Sequence, residues 1–271
     1  EEVEQNYQEA FKWYKLAADQ GIYFAQFSLG FLYKNGLGVE QDYQEAFKWY
    51  KLAADQGDSF SQASIGHFYL FGFGIDKNYE EAIRWSRLAA DQGNDRAQIS
   101  IGIIYDHGLG VDQDYQEAFK WYKLAADQGN DFAQNNIGKF FNKGLGVEQN
   151  YQEAMKWYLK AADQGNSTAQ INIGLLNENG NGVEQNYQEA MKWYLKAADQ
   201  KDDFAMAFIG DLYRDGHGVE QDYQEAFKWY QLCVDVNPEN LGCLTNIGLS
   251  YDDGRGVAQS FDEAFKWYKL A

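Results

Sequence analysis

The sequence predicts an all-α fold in which a 36-residue pair of antiparallel helices is repeated about seven and a half times to form a right-handed superhelical solenoid. Three observations predict it: tryptophans recur at a fixed interval, apolar residues around them follow helical spacing, and glycines mark the helix ends. Seven tryptophans lie 36 residues apart and the eighth follows after 38, at Trp13, Trp49, Trp85, Trp121, Trp157, Trp193, Trp229 and Trp267.

The first helix of each repeat, helix A, is predicted from the pattern Tyr-x-x-Ala-x-x-Trp-Tyr-x-x-Ala-Ala, first seen from Tyr7. Spacings of three and four place these residues on one helix face. Asn6 followed by Glu9 resembles a capping box, and Gly21 lies where a left-handed residue would end the helix. The pattern predicts that helix A begins near residues 7, 43, 79, 115, 151, 187, 223 and 261.

The second helix, helix B, carries Ala25, Leu29, Gly30 and Tyr33 at positions that recur along the chain. Its small residues would let a neighbouring backbone approach closely, and the glycines that follow can turn the chain back. One such hairpin cannot bury its apolar faces alone, so neighbouring repeats must supply the burial. We therefore expect residues 1–271 to form a single solenoid domain.

Composition excludes several classes of function. The net charge of -18 argues against a nucleic-acid-binding surface, which needs clustered Lys and Arg. No run approaches the roughly 18 apolar residues of a membrane span, and an aromatic content of 17% argues against disorder. The chain begins at Glu1, inside a repeat and without methionine, which predicts a fragment of a longer protein and leaves its compartment open.

The pattern Ala-x-x-Trp-Tyr-x-x-Ala-Ala-x-x-Gly, followed by Ala-Gln-x-x-Leu-Gly-x-x-Tyr-x-x-Gly-x-Gly-Val, resembles the Sel-one-like repeat (SLR) family, a relative of the tetratricopeptide repeat. The resemblance covers essentially the whole chain. It implies a non-enzymatic scaffold or adaptor that binds a protein or peptide partner on its surface. Some bacterial members are immunity proteins against secreted effectors, so an immunity or inhibitor protein is the first alternative. A consensus design or recent duplication without a ligand is another.

The two cysteines replace alanines of the repeat. Cys233 stands where helix A has Ala17, and Cys243 stands where helix B has Ala25; these positions face each other across the helix pair. A cysteine-rich branch of the family, linked to weak penicillin binding, has disulfides at similar positions. The cysteines are either bridged or simply small core residues. A bridge implies a periplasmic or secreted protein, and free thiols leave a cytoplasmic location.

The residues that could support chemistry do not form a catalytic, metal or cofactor site. His67, His107 and His217 lie in different repeats, at positions expected to be exposed or near turns. The Gly-x-Gly turns follow a helix and lack the Lys-Ser/Thr of a phosphate loop. Glu9 and Lys12 recur in every repeat, which capping and ion pairing explain. No nucleophile–base pair supports the penicillin-binding alternative.

The second repeat departs most from the others. Before its turn it carries Leu70 and Phe71, where other repeats have polar or charged residues, and Phe73 follows in the turn. An exposed apolar cluster is what a binding or self-association site requires. The alternative is repacking, with Phe71 filling the space left where Ser86 replaces the usual tyrosine. The predicted partner site comprises Phe60, His67, Leu70, Phe71 and Phe73.

A second surface is predicted on helix A. If helix A lines the concave face, as in related repeats, its alternating apolar and cationic residues would form a ladder suited to an acidic segment of a partner. The alternative is that these residues pack against adjacent repeats. We call this set the helix-A ladder: Phe11, Lys12, Phe47, Lys48, Ile83, Arg84, Phe119, Lys120, Met155, Lys156, Met191 and Lys192.

Overall fold

The computed structural model describes residues 6–271, which contain 15 α-helices and no strand. This confirms the predicted all-α repeat fold. The A helices are α1 (Tyr7–Asp19), α3 (Tyr43–Asp55), α5 (Tyr79–Ala90), α7 (Tyr115–Asp127), α9 (Tyr151–Ala162), α11 (Tyr187–Ala198), α13 (Tyr223–Val236) and α15 (Phe261–Leu270). The B helices are α2 (Tyr23–Asn35), α4 (Ser59–Phe71), α6 (Asp95–His107), α8 (Asp131–Lys143), α10 (Ser167–Asn179), α12 (Asp203–Asp215) and α14 (Leu241–Asp253).

The A helices begin with an Asn, Asp or Ser cap, but the capping box is only half formed. Oδ1 of Asp42 accepts from the backbone N–H of Glu45 at 3.0 Å, as predicted. The backbone N–H of Asp42 donates to the carbonyl of Tyr33 at 3.0 Å, so the preceding helix B takes the place of the glutamate side chain. The cap therefore ties each helix A to the helix before it.

Glycine and tyrosine fix the approach of consecutive repeats. In helix B, a Cβ on Gly210 would lie 2.5 Å from the ring of Tyr230 in the next helix A, which is closer than real Cβ contacts. Tyr158, Tyr194 and Tyr230 are among the largest fully buried side chains. Their rings thus occupy the space that the glycines leave free. The same contact recurs at each described repeat boundary except the one where Gly66 faces Ser86.

Buried glutamines provide a polar connection between repeats. Nε2 of Gln26 donates to the carbonyl of Ala18 at 3.3 Å, and its Oε1 accepts from Gln56 at 2.7 Å. The same pair recurs as Gln92 with Gln62, at 2.8 Å. Because a buried amide without partners is costly, these bonds explain why Gln follows Ala at the start of most B helices.

The packing divides the chain into two compact units, Glu1–Ala133 (unit 1) and Gln134–Ala271 (unit 2), with the division inside α8. In unit 1, the second-repeat core contains Tyr50, Ile65 and Phe68. In unit 2, Ile209, Leu212 and Tyr230 belong to one continuous core cluster. Among the described residues, no helix combines the length and apolarity needed to cross a bilayer.

The two cysteines connect α13 and α14 in unit 2. Both are fully buried, and the structure joins Cys233 to Cys243 by a disulfide with Cα atoms 6.4 Å apart. The bond closes a loop of sequence separation 10, which contains Pro238. A covalent link thus spans the helix pair that carries a two-residue insertion in its sequence.

Reducing this disulfide is expected to lower the free energy of unfolding by about 2–3 kcal/mol, because a closed loop restricts the unfolded chain. Thermal unfolding with and without reductant measures the loss, and intact mass measures how much of the protein is bridged. The variant Cys233→Ala/Cys243→Ala restores the alanines of other repeats and controls for effects of the reductant elsewhere. An unfolding midpoint that reductant leaves unchanged in the wild-type protein would contradict this prediction.

Candidate functional site

The predicted apolar cluster of the second repeat separates into exposed and buried parts. Phe60 and Phe71 are 56% and 42% exposed. Leu70 is only 3% exposed and packs on Ala82 and Ile104, so its placement in an exposed site is wrong. Phe73 is half-buried and stacks on Tyr43 with ring centroids 5.4 Å apart.

Leu70 is buried because of a change in the following repeat. In two of the later repeats, the hydroxyl of the helix-A tyrosine bonds to a polar residue 16 positions earlier: Tyr194 donates to Glu178 at 2.6 Å, and Tyr158 bonds to Asn142. Ser86 replaces this tyrosine in α5, and the residue 16 positions before it is Leu70. Leu70 therefore packs inward, where a polar residue would find no tyrosine hydroxyl. Leu70, and not Phe71, is thus the side chain that packs inward in the repeat where Ser86 replaces tyrosine, and Phe71 stays exposed.

A groove of about 390 Å³ lies beside this cluster in unit 1. Its walls are B helices: α2 supplies Phe27 and Lys34, α4 supplies Phe60, Ala63, Ser64, His67 and Phe71, α6 supplies Arg96, Ile99, Ser100 and Ile103, and Phe132 lies at the start of α8. The volume is within the range of ligand pockets, about 300–1,000 Å³. The groove brings together Phe60, His67 and Phe71 of the predicted site and leaves out Leu70 and Phe73.

His67 occupies the centre of α4 in this groove. Its ring centroid lies 4.5 Å from that of Phe71 and 5.5 Å from that of Phe73, so the expectation that it is exposed is wrong. Burial lowers the pKa of His67 to about 4, and the positive charges of Lys34 and Arg96 act in the same direction. The imidazole is therefore neutral at neutral pH.

The two permanent cations of the groove are Lys34 and Arg96. Burial lowers the pKa of Lys34, and the charge of Arg96 lowers it further. Among the residues that the structure describes, no Asp or Glu lines the groove. Within the described residues, neither cationic side chain forms an ion pair within 4.0 Å. The groove thus combines apolar walls with two cations that the protein leaves without a counter-ion.

The groove is made from positions that differ between otherwise similar repeats. Position 24 of the repeat is Phe60 in α4 but Arg96 in α6, and position 31 changes from His67 to Ile103. The framework positions between them, such as the helix-B glycine, stay constant. Comparing these positions at the 36-residue interval would have revealed Lys34 and Arg96 as site residues, which the sequence prediction missed.

In unit 2, the equivalent positions of one repeat contain a polar cluster whose charged groups pair with one another. Oδ1 of Asp211 accepts from Nη1 of Arg214 at 2.7 Å and from the hydroxyl of Tyr230 at 2.8 Å. Asp215 also accepts from Arg214, at 2.7 Å. Arg214 is the equivalent of Lys34 in its repeat, and here two carboxylates neutralise it. The unpaired cations are thus a property of the unit 1 groove, not of the repeat.

The helix-A ladder does not form an exposed apolar surface. Phe11 packs edge-on against Tyr33 of the following helix B at 5.4 Å, and Phe47 does the same with Tyr69 at 5.5 Å. Met191 is buried. The cations are exposed but paired, for example Lys156 with Glu153 at 2.6 Å. The apolar members of the ladder are thus half-buried or buried in the packing of the helices, and its use as a partner surface stays a prediction.

The remaining histidines lie apart from the groove. His107 is exposed at the end of α6, and His217 is exposed in a turn, where it stacks on Tyr187 at 4.5 Å. Across residues 6–271, no group of three or more His, Cys, Asp or Glu side chains is arranged to hold a metal ion.

Comparisons with known proteins agree with this architecture. The model of the Sel1 repeat matches residues 1–22, 24–58, 59–94, 95–130, 131–166, 167–202, 203–232 and 242–271. The chain is similar to the crystal structure of a protective antigen of uropathogenic Escherichia coli with an SLR fold, at 32% identity and a TM-score of 0.82. That match covers 96% of this chain and 55% of the antigen, so the chain spans about half of the antigen's length.

A Sel1 repeat protein from Oxalobacter formigenes is 30% identical, with a TM-score of 0.77 over 97% of this chain and 76% of that one. An immunity protein from Pseudomonas aeruginosa shares the fold at 17% identity, with a TM-score of 0.54 over 74% of this chain and 76% of its own. A search of curated protein sequences finds no match. With family matches along nearly its whole length, the chain belongs to the Sel1 repeat family.

Proposed function

We propose that the protein is a non-enzymatic binding protein that holds a segment of a partner protein in the unit 1 groove. The observation that supports this proposal is the position of the residues that differ between repeats. Their shared residues maintain the stack, and the residues that differ line a groove with Phe60 and Phe71 exposed. Large aromatic side chains that remain exposed in a concave site are typical anchors for a partner.

The likeness to Pseudomonas immunity proteins favours a second candidate, in which the bound partner is a secreted effector that the protein neutralises. Both candidates need a protein ligand, and they differ in how tightly one cognate partner is held. The disulfide of unit 2 supports an oxidising compartment for either role.

Selection of a displayed library of random 12-residue peptides on the immobilised protein tests the proposal. We expect a family of related peptides to be enriched on the wild-type protein and lost on Phe60→Ser/Phe71→Ser. The matched control is Leu88→Ser/Leu124→Ser, which changes two exposed leucines of helix A outside the groove. Equal enrichment on all three proteins would overturn the proposal.

The same variants address self-association through the apolar edge of the second repeat. Sedimentation velocity of the wild-type protein and of Phe60→Ser/Phe71→Ser compares their oligomeric states. A wild-type oligomer that the groove variant converts to a monomer would assign the groove to a second copy of the chain and would contradict its use for another partner.

A further inference from the structure

The charge of the unit 1 groove is opposite to that of the whole chain. The protein carries a net charge of -18, and most of its helix-A cations are paired with a nearby carboxylate, as in Lys48–Glu45 at 2.5 Å and Lys120–Glu117 at 2.9 Å. Lys34 and Arg96 are exceptions in the described part of the chain, because neither has a carboxylate within 4.0 Å. Because acidic residues are in excess in the chain as a whole, the lack of a carboxylate beside these two cations indicates a groove suited to a negatively charged ligand.

Resting on the proposed function, we infer that the groove recognises an acidic segment of the partner, with an Asp or Glu carboxylate between Lys34 and Arg96 and neighbouring apolar side chains on the aromatic walls. Two like charges that are close enough to lower the pKa of Lys34 destabilise each other. A bound carboxylate would relieve this repulsion and form charge-assisted hydrogen bonds with both groups.

His67 allows this arrangement because it adds no third positive charge at neutral pH. Its imidazole lies among the same two cations and remains neutral. In this state it can donate one hydrogen bond and accept another. A carboxylate seated nearby would favour the protonated ring. Binding of an acidic ligand should therefore shift the titration of His67 toward higher pH.

The apolar walls select for the residues beside the carboxylate. Phe60 and Phe71 flank the α4 side, and Ile99 and Ile103 line the α6 side. Because both phenylalanines are about half exposed, the groove is shallow and suits side chains of an extended or helical segment. An acyl chain would leave much of its length in water here, so a peptide fits this site better than a fatty acid.

The negative charge of the rest of the molecule does not prevent this recognition. At physiological ionic strength, charges beyond about 8 Å of a bound carboxylate are largely screened. Residues lining the groove are near enough to act, and among the described residues Lys34 and Arg96 are the permanent charges in its lining. The local field at the groove is therefore set by the two cations.

The test uses peptides selected on the wild-type protein together with isosteric Glu→Gln or Asp→Asn versions of each. We expect the acidic forms to bind at least about 10-fold more tightly by fluorescence anisotropy. We expect Lys34→Met/Arg96→Met to remove this preference while keeping affinity for the apolar part of the peptide. The matched control Lys48→Met/Arg84→Met, which removes two paired helix-A cations, should retain the preference.

Nuclear magnetic resonance titration of the His67 ring gives an independent measurement. We expect its pKa to rise by about one unit on binding the acidic peptide and to change less with the amide version. Peptides that bind with no preference for the acidic form would overturn the inference and leave the proposed function intact. Absence of any selected peptide would overturn both. Tighter saturable binding of dodecanoate than of every peptide would reassign the groove to an apolar anion.

Discussion

Tyr158→Ser is expected to lower the free energy of unfolding by about 3–5 kcal/mol, and adding Asn142→Leu is expected to restore at least about 1 kcal/mol of it. Tyr158 is 1% exposed, its ring lies against Gly138, and its hydroxyl bonds to Asn142. Removing the ring leaves a cavity between α8 and α9. Leucine at position 142 would fill part of that cavity, as Leu70 does where the chain carries Ser86.

The two substitutions can be measured separately and together in a double-mutant cycle. Asn142→Leu alone should destabilise the protein, since the tyrosine hydroxyl then loses its partner. Denaturant unfolding of the wild-type protein, both single variants and the double variant gives the coupling between the two positions. If the two single effects add to within about 0.5 kcal/mol, positions 142 and 158 are not coupled, which would contradict the prediction and the view that Leu70 compensates for Ser86.

The reverse exchange, Ser86→Tyr with Leu70→Asn, is expected to weaken peptide binding to the unit 1 groove by at least about 10-fold without destabilising the protein. In the preceding repeat, Tyr50 packs on Phe27 at 5.6 Å and hydrogen-bonds to Ser64. The residues equivalent to Phe27 and Ser64 one repeat later are Ala63 and Ser100, and both line the groove. A restored ring would therefore occupy ligand space.

The Ser86→Tyr/Leu70→Asn variant should keep its stability because α4 retains the features that accommodate a tyrosine ring in the other repeats. Gly66 keeps the glycine that receives tyrosine in the other repeats, and the hydroxyl of Ser86 is buried without a hydrogen bond in the described part of the chain. The unit 2 exchange at positions 142 and 158 controls for general effects of such swaps, since it lies outside the groove. Unchanged peptide affinity in the folded Ser86→Tyr/Leu70→Asn variant would contradict the prediction.

The repeat fold could be predicted from the sequence because its determinants are local and recur. The 36-residue interval of tryptophan, the Asn or Asp caps and the glycines each act within a few residues of their own position. The absence of the reciprocal glutamate bond of the capping box could not be predicted, since the cap N–H of Asp42 donates to the carbonyl of Tyr33 in the preceding helix. That partner becomes visible only when consecutive repeats are packed.

The groove was predicted only in part, for a similar reason. His67 and Phe71 depart from the repeat and were found, as was Phe60, but Leu70 departs equally and is buried. Its direction depends on Ser86, so the two substitutions must be considered as a pair. Lys34 and Arg96 are 62 residues apart in sequence, and only the neighbouring positions of α2, α4 and α6 bring them to one site.

The Leu70–Ser86 pair also bears on how the chain finds its correct order during folding. Helices α1, α3 and α7 have identical sequences, so any of them could dock on the wrong partner with native-like contacts. Such misassembly is a characteristic failure of repeat proteins. A tyrosine-bearing helix placed on α4 would meet Leu70 instead of a polar residue, and only α5 avoids this conflict. The Leu70–Ser86 pair thus distinguishes α5 from the other A helices and favours the correct order of helices in unit 1.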